Sequence, residues 1–160
     1  MFNQIVFFKG NQVNNPTQDF KILAGATAVT SGQPCILTGT NLNVQAAPDA
    51  SPVIGTHVFA GFSNGSSSQT ASVNGIVDLY VPLQYAVLML PAKVPANIAT
   101  QAQYDALVGH YTLFDLTGGV YTVDESANSA LNGLIIVPLN VTNFPGMVAF
   151  VVRQSATWTN

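Results

Sequence analysis

The stretch Tyr111-Thr112-Leu113-Phe114-Asp115-Leu116-Thr117-Gly118-Gly119-Val120-Tyr121-Thr122-Val123 decides the fold class. Residues 111–115 and 120–123 are rich in β-branched and aromatic side chains, which suit a pleated, half-buried surface. Between them Gly118-Gly119 supplies two adjacent positions that accept positive φ, as a tight hairpin turn requires. The reading is two antiparallel strands.

The same grammar runs through the first half. Between residues 20 and 91, short runs of Val, Ile, Thr, Phe and Tyr are broken by turn clusters such as Ser31-Gly32-Gln33-Pro34 and Ser63-Asn64-Gly65-Ser66-Ser67-Ser68. Strands are expected over 20–23, 28–29, 35–37, 42–45, 56–62, 76–81 and 85–90, and again over 134–137 and 147–153. One helix is expected over 100–108. Thr100-x-x-Gln103 is a capping box, in which hydroxyl and amide satisfy opposed backbone N–H groups, and Gly109 stands where a left-handed C-terminal cap belongs. The fold class is therefore mainly β: a small barrel or sandwich of short antiparallel strands with one short helix, preceded by an extended N-terminal arm. Pro91 and Pro95 mark a break. It gives residues 21–94 as a β-rich domain or lobe and 95–160 as the helix plus a second β-rich lobe. The sequence leaves open whether these are lobes of one unit or two small domains.

Residues 1–20 form the arm. An apolar run, Phe2 with Ile5-Val6-Phe7-Phe8, leads into the Asn/Gln-rich stretch Gly10-Asn11-Gln12-Val13-Asn14-Asn15-Pro16-Thr17, which has no helical periodicity. A frayed terminus is the bland reading. The density of large apolar side chains favours docking on a neighbouring chain, so Phe2, Ile5, Val6, Phe7 and Phe8 are candidate interface residues. Trp158 is another, since tryptophan is enriched among interface anchors.

Charge is scarce. Asp, Glu, Lys and Arg make up 7% of 160 residues, against roughly 25% in an ordinary soluble domain. Asn, Gln, Ser and Thr supply 48 residues, and the mean hydropathy is +0.34. Isolated domains keep their surfaces patch-free with mixed charges, whereas an uncharged face packed on a neighbour avoids the desolvation of ions. The composition thus points to a subunit of a larger assembly. A net charge of −3 with four scattered cations (Lys9, Lys21, Lys93, Arg153) argues against nucleic acid as partner. No apolar run approaches the ~20 residues of a membrane span. The N-terminus lacks the pattern of a secretory signal, so the chain is expected to remain in the compartment where it is made.

No catalytic, cofactor-binding or metal-binding set emerges. His57 lies in an apolar strand pattern and reads as a hydrogen-bonded structural histidine. His110 follows the helix C-terminus, where its charge would favour the dipole. Cys35, the sole cysteine, reads as a small buried hydrophobe and permits no intrachain disulfide. Asp124-Glu125 is the sole acidic pair, and adjacent strand residues point to opposite faces, which suits no acid/base couple. A solvated loop is the simple reading; a calcium site with Ser126, Asn128 and Ser129 is the alternative, without EF-hand spacing.

Gly25-Ala26-Thr27-Ala28-Val29-Thr30-Ser31-Gly32-Gln33-Pro34-Cys35-Ile36-Leu37 resembles the opening of small phage capsid decoration (cement) proteins, where a Val-x-x-Gly-Gln-Pro turn leads into a short barrel strand. Gly75-Ile76-Val77-Asp78-Leu79-Tyr80-Val81-Pro82 looks like a later element of that family. Gly119-Val120-Tyr121-Thr122-Val123-Asp124 and Gly146-Met147-Val148-Ala149-Phe150-Val151-Val152 are similar in style to phage head auxiliary or head-fibre proteins. The resemblance implies a non-enzymatic virion component on the exterior of an icosahedral shell, often trimeric, whose partners are the major capsid protein and copies of itself. The expected function is capsid decoration and stabilisation. The rival classes are a receptor- or glycan-binding module of a tail or head fibre and, with no residue signature to carry it, a hydrolase acting on a cell-surface polymer.

Overall fold

A computed structural model of the chain describes residues 17–38, 43–81 and 86–157. Five strands build the first sheet: β1 (Thr17–Ile22), β2 (Pro34–Thr38), β3 (Asn43–Ala46), β4 (Val58–Ser63) and β5 (Gly75–Tyr80). They pair antiparallel in the spatial order β1-β5-β4-β2-β3. The two edges, β1 and β3, come back into contact, so the sheet is rolled but not closed by a ladder. Alternation explains the roll's interior. Phe20 and Ile22 of β1, Cys35 of β2, Val44 of β3, Ala60 of β4, and Val77 and Leu79 of β5 all point inward as one core.

The second lobe holds a four-stranded antiparallel sheet of β6 (Leu88–Pro91), β7 (Tyr111–Thr112), β10 (Leu134–Ile136) and β11 (Met147–Val152), in the order β6-β11-β10-β7. The expected hairpin is present as β8 (Phe114–Thr117) and β9 (Val120–Val123), with Gly118 at φ 60° and Gly119 at φ 80° closing the turn. The helix α1 (Gln101–Asp105) begins at the expected capping box: the Thr100 hydroxyl accepts the Gln103 N–H, and the Gln103 amide oxygen accepts the Thr100 N–H. It is shorter than 100–108. Leu107 and Val108 wind down through bonds to Tyr104 and Asp105, and the Gly109 N–H leaves the helix for the carbonyl of Ile136. Tyr104 locks α1 to the sheet below. Its hydroxyl donates to the Val137 carbonyl at 2.9 Å and accepts the Ala149 N–H at 2.9 Å.

One core joins the lobes. β4 is buried on both faces: Ala60 faces the roll, while Phe59 and Phe62 face the second lobe. Phe114 sits at the centre, its ring 5.9 Å from Phe59, 6.0 Å from Phe62 and 5.7 Å from Phe150. Bridges Ser51–Phe114, Val53–Asn132 and Phe59–Thr157 tie the first lobe to the second. Residues of both halves thus line one hydrophobic cluster.

The structure moves several expected boundaries. β1 starts at Thr17, so residues 17–20 of the expected arm are strand, drawn in by the ladder to β5. β6 falls within the expected 21–94 lobe, yet its partner is β11, so it belongs to the second lobe's sheet. Residues 28–29 form no strand, because the Ser67 side chain and backbone take up the Val29 N–H and carbonyl in place of a ladder. The strand expected over 111–115 is split at Leu113: β7 pairs with β10, and the chain then crosses to pair β8 with β9. The 56–62 strand begins only at Val58, since Thr56 and His57 turn back onto the Val53 carbonyl.

Candidate functional site

The candidate interface residues Phe2, Ile5, Val6, Phe7, Phe8 and Trp158 lie outside the described residues. The positions where their segments join the body are defined. The arm meets the sheet at Thr17, opposite Tyr80 in the ladder, and the C-terminal segment is held as far as Thr157, which bridges Phe59.

Three of the scarce charges meet in one cluster. Lys93 leaves the end of β6 and places its Nζ 2.8 Å from Asp115 Oδ1 and 2.9 Å from Asp124 Oδ2. These partners, Asp115 first, hold the ammonium above its ordinary value. Lys93 in turn holds the Asp115 carboxyl below the ordinary carboxylate value, helped by the Thr117 hydroxyl at 2.9 Å. Burial alone would raise Asp124; the bonds from Lys93 and Ser126 outweigh it and hold that carboxyl low as well. All three groups are thus charged at neutral pH, an ion-pair clamp between the β6 exit and the β8–β9 hairpin.

Glu125 is fully buried, accepting from Asn97 Nδ2 at 2.8 Å and from the Val94 N–H at 3.4 Å. It anchors the short 3-10 turn Pro95–Ile98 that precedes α1. The solvated loop read at Asp124-Glu125 is therefore corrected: both carboxylates are structural. The calcium alternative falls with it, because Asp124 turns to Lys93, Glu125 to Asn97, and Asn128 Oδ1 accepts the Tyr111 N–H. Among the described residues, no group of three or more His, Cys, Asp or Glu is placed to hold a metal ion.

Arg153 is absorbed too. Its guanidinium lies 4.4 Å from the centre of the Tyr111 ring and donates from Nη1 to the carbonyls of Ala130 and Asn132 at 2.7 and 3.0 Å. His57 is the structural histidine expected, its Nδ1 accepting the Val53 N–H at 3.2 Å. His110 lies just past the helix, its N–H on the Leu107 carbonyl and its own carbonyl accepting from Ile136. Burial pushes the Cys35 thiol up to about 12, so no reactive thiolate forms there at neutral pH.

Besides the exposed Asp19, Lys21, Asp49 and Asp105, what remains outside is amide, hydroxyl and apolar. On the outward face and end of the β1–β5 pair, Leu23, Val73 and Ile76 are 44%, 61% and 53% exposed. Ile76 stands opposite Lys21, and Asn74 Oδ1 accepts the Ala24 N–H, which holds the 70–75 turn against the end of β1. The Ser63–Ser68 loop beside it is pinned by backbone bonds from Ser67 to Val29 and from Ser68 to Ile76. Leu23 looks like an ordinary strand end in the sequence; only the register, with Lys21 opposite Ile76 and Ile22 opposite Gly75, sets it on the same face as Ile76. Among the described residues no helix is long and apolar enough to cross a membrane. No protein-family model, no curated protein and no solved structure matches the chain.

Proposed function

We propose that this chain is a structural virion protein that decorates and stabilises a bacteriophage capsid by bridging major capsid subunits in contact with further copies of itself. The observation that carries the reading is the scarcity of charge, 7% of the chain. Asp115, Asp124, Glu125, Lys93 and Arg153 are engaged by contacts within the chain, which leaves Asp19, Lys21, Asp49 and Asp105 as the exposed charges besides Lys93 among the described residues. A surface this thinly charged can be buried on a neighbour with few ions to desolvate. The exposed Leu23, Val73 and Ile76 add apolar area, and the apolar arm of Phe2 to Phe8 adds a second contact rooted at Thr17. A protein that binds only the assembled shell stabilises that state by mass action. The site of action is the virion exterior, with trimeric association the arrangement the family resemblance favours.

Particles lacking the protein should lose their contents at lower temperature or on osmotic shock, and adding purified protein back should restore resistance. Deleting residues 1–15 should weaken re-binding while leaving the far-UV circular dichroism of the isolated protein unchanged; equal binding by the truncated chain removes the arm from the mechanism. Particles of normal stability that no longer adsorb to host cells would replace this reading with the receptor- or glycan-binding one.

A further inference from the structure

The chain contains three Asn-Gly pairs, at 64–65, 74–75 and 132–133, and the fold treats them differently. In such a pair the glycine nitrogen attacks the asparagine Cγ. The amide N–H proton is lost to base, Nδ2 departs as ammonia, and the resulting succinimide is opened by water at either carbonyl to give aspartate or isoaspartate. Glycine favours the reaction because no Cβ blocks the approach. Ring closure also requires the glycine N–H to be free and the asparagine backbone to rotate.

Asn132-Gly133 meets neither requirement. Asn132 is buried with Nδ2 on the Tyr111 carbonyl, and the Gly133 N–H donates to Pro52 O at 2.8 Å. Even a Cβ on Gly133 would come within 2.6 Å of Pro52 and 2.9 Å of Ala156. Asn74-Gly75 is exposed at Asn74, but its Oδ1 accepts the Ala24 N–H at 2.9 Å. Gly75 is paired with Ile22 in the ladder and packed against the backbone of Ser68 and Gln69. Asn64-Gly65 is open at its glycine. Asn64 is exposed at the exit of β4, with its N–H on the Asp78 carbonyl and its own carbonyl accepting from the Ser31 hydroxyl at 3.4 Å, but a Cβ on Gly65 would meet nothing within 4 Å and among the described residues no acceptor takes the Gly65 N–H.

We infer that Asn64 is a site of spontaneous deamidation, the one Asn-Gly pair of the three that the folded protein leaves reactive. The modification has a defined consequence. Asn64 Nδ2 donates to Asp78 Oδ2 at 2.8 Å, and Asp78 stands directly opposite Asp19 in the β1–β5 ladder. Conversion removes that donor and sets a new carboxylate beside two others, with Lys21, two residues along β1 from Asp19, the cation on the same face. Like charges opposed on a sheet are destabilising, and salt screens them.

The test is incubation of the full-length protein in mildly alkaline buffer, followed by peptide mapping, with isoaspartyl methyltransferase labelling to identify the product. Asn64 should convert severalfold faster than Asn74 or Asn132 in the native protein, and the three should converge in denaturant. Gly65→Ala, which the open space at Gly65 accommodates, should slow the reaction severalfold without altering the circular dichroism. Asn64→Asp should lower the Tm more in dilute buffer than at high salt. Conversion first at Asn74 or Asn132, equal rates at all three in the native state, or an unchanged rate in Gly65→Ala would each overturn the inference.

Discussion

Truncating Phe114 to alanine tests whether the two lobes are one cooperative unit. Phe114 is fully buried, starts β8, and touches Phe59 and Phe62 from the first lobe and Phe150 from the second. Its N–H also bonds the Ser51 carbonyl, so the backbone holds its place when the ring is removed, and the cavity will not collapse easily. Phe→Ala at such sites costs about 3–5 kcal/mol. At this chain length each kcal/mol shifts Tm by about 2–4 °C, so the expected loss is roughly 6–20 °C. Scanning calorimetry reads both quantities that matter. The wild type should melt in one transition whose calorimetric and van't Hoff enthalpies agree, and the variant in one transition at lower temperature. Two transitions, with only one displaced by the substitution, would refute the shared core. So would a loss under about 1 kcal/mol, far below the cost of an unrelaxed cavity.

The clamp on Lys93 predicts an acid response. Asp115 and Asp124 titrate below the ordinary carboxylate value of 3.8 when folded, so their contribution is present above that pH and is lost as pH falls through the lower folded values. Lys93→Met should flatten this limb of a Tm-against-pH curve. At the alkaline end, burial lifts Tyr104 and Tyr121 from 10.0 to about 12, so their contribution is complete below pH 10 and lost as pH rises towards 12; ultraviolet titration should find two late phenols. Tyr104→Phe leaves the Ala149 N–H without its acceptor and should cost about 1–3 kcal/mol in chemical denaturation, with no change in the denaturant slope. Re-binding to depleted particles should change little between dilute and physiological salt, because few charges face outward; a steep dependence would indicate an electrostatic partner.

Local chemistry was legible and long-range pairing was not. The capping box at Thr100 and Gln103 and the turn at Gly118-Gly119 each satisfy their backbone within a few residues, so the residue types alone announce them. Nothing local says that β1 pairs with β5, or that β6 leaves its sequence neighbours for β11. Those choices are made by which faces bury together across the whole chain. The charged residues were misread for the same reason. Asp124-Glu125 looks like loop because its partners, Lys93 and Asn97, are about thirty residues away. A usable signal did exist: in a chain this poor in charge, each ion left in an apolar neighbourhood, as Lys93 is between Ala92 and Val94, calls for a counter-ion.

The clamp also bears on how such a body would bind. Lys93 and Glu125 fix the segment between β6 and α1, Tyr104 fixes α1 to the sheet, and Arg153 fixes the end of β11 to the 130–132 loop. The passage into the helix is thereby held by charge-assisted bonds. Ordering side chains and loops on association costs about 0.5–1.5 kcal/mol for each one immobilised. A body whose few ions already immobilise its connections keeps that free energy for the interface. Ions engaged in internal ties and an outer surface that carries few charges are thus two sides of one allocation. That allocation suits a protein that binds by shape over a broad neighbouring surface better than one that steers a charged ligand into a pocket.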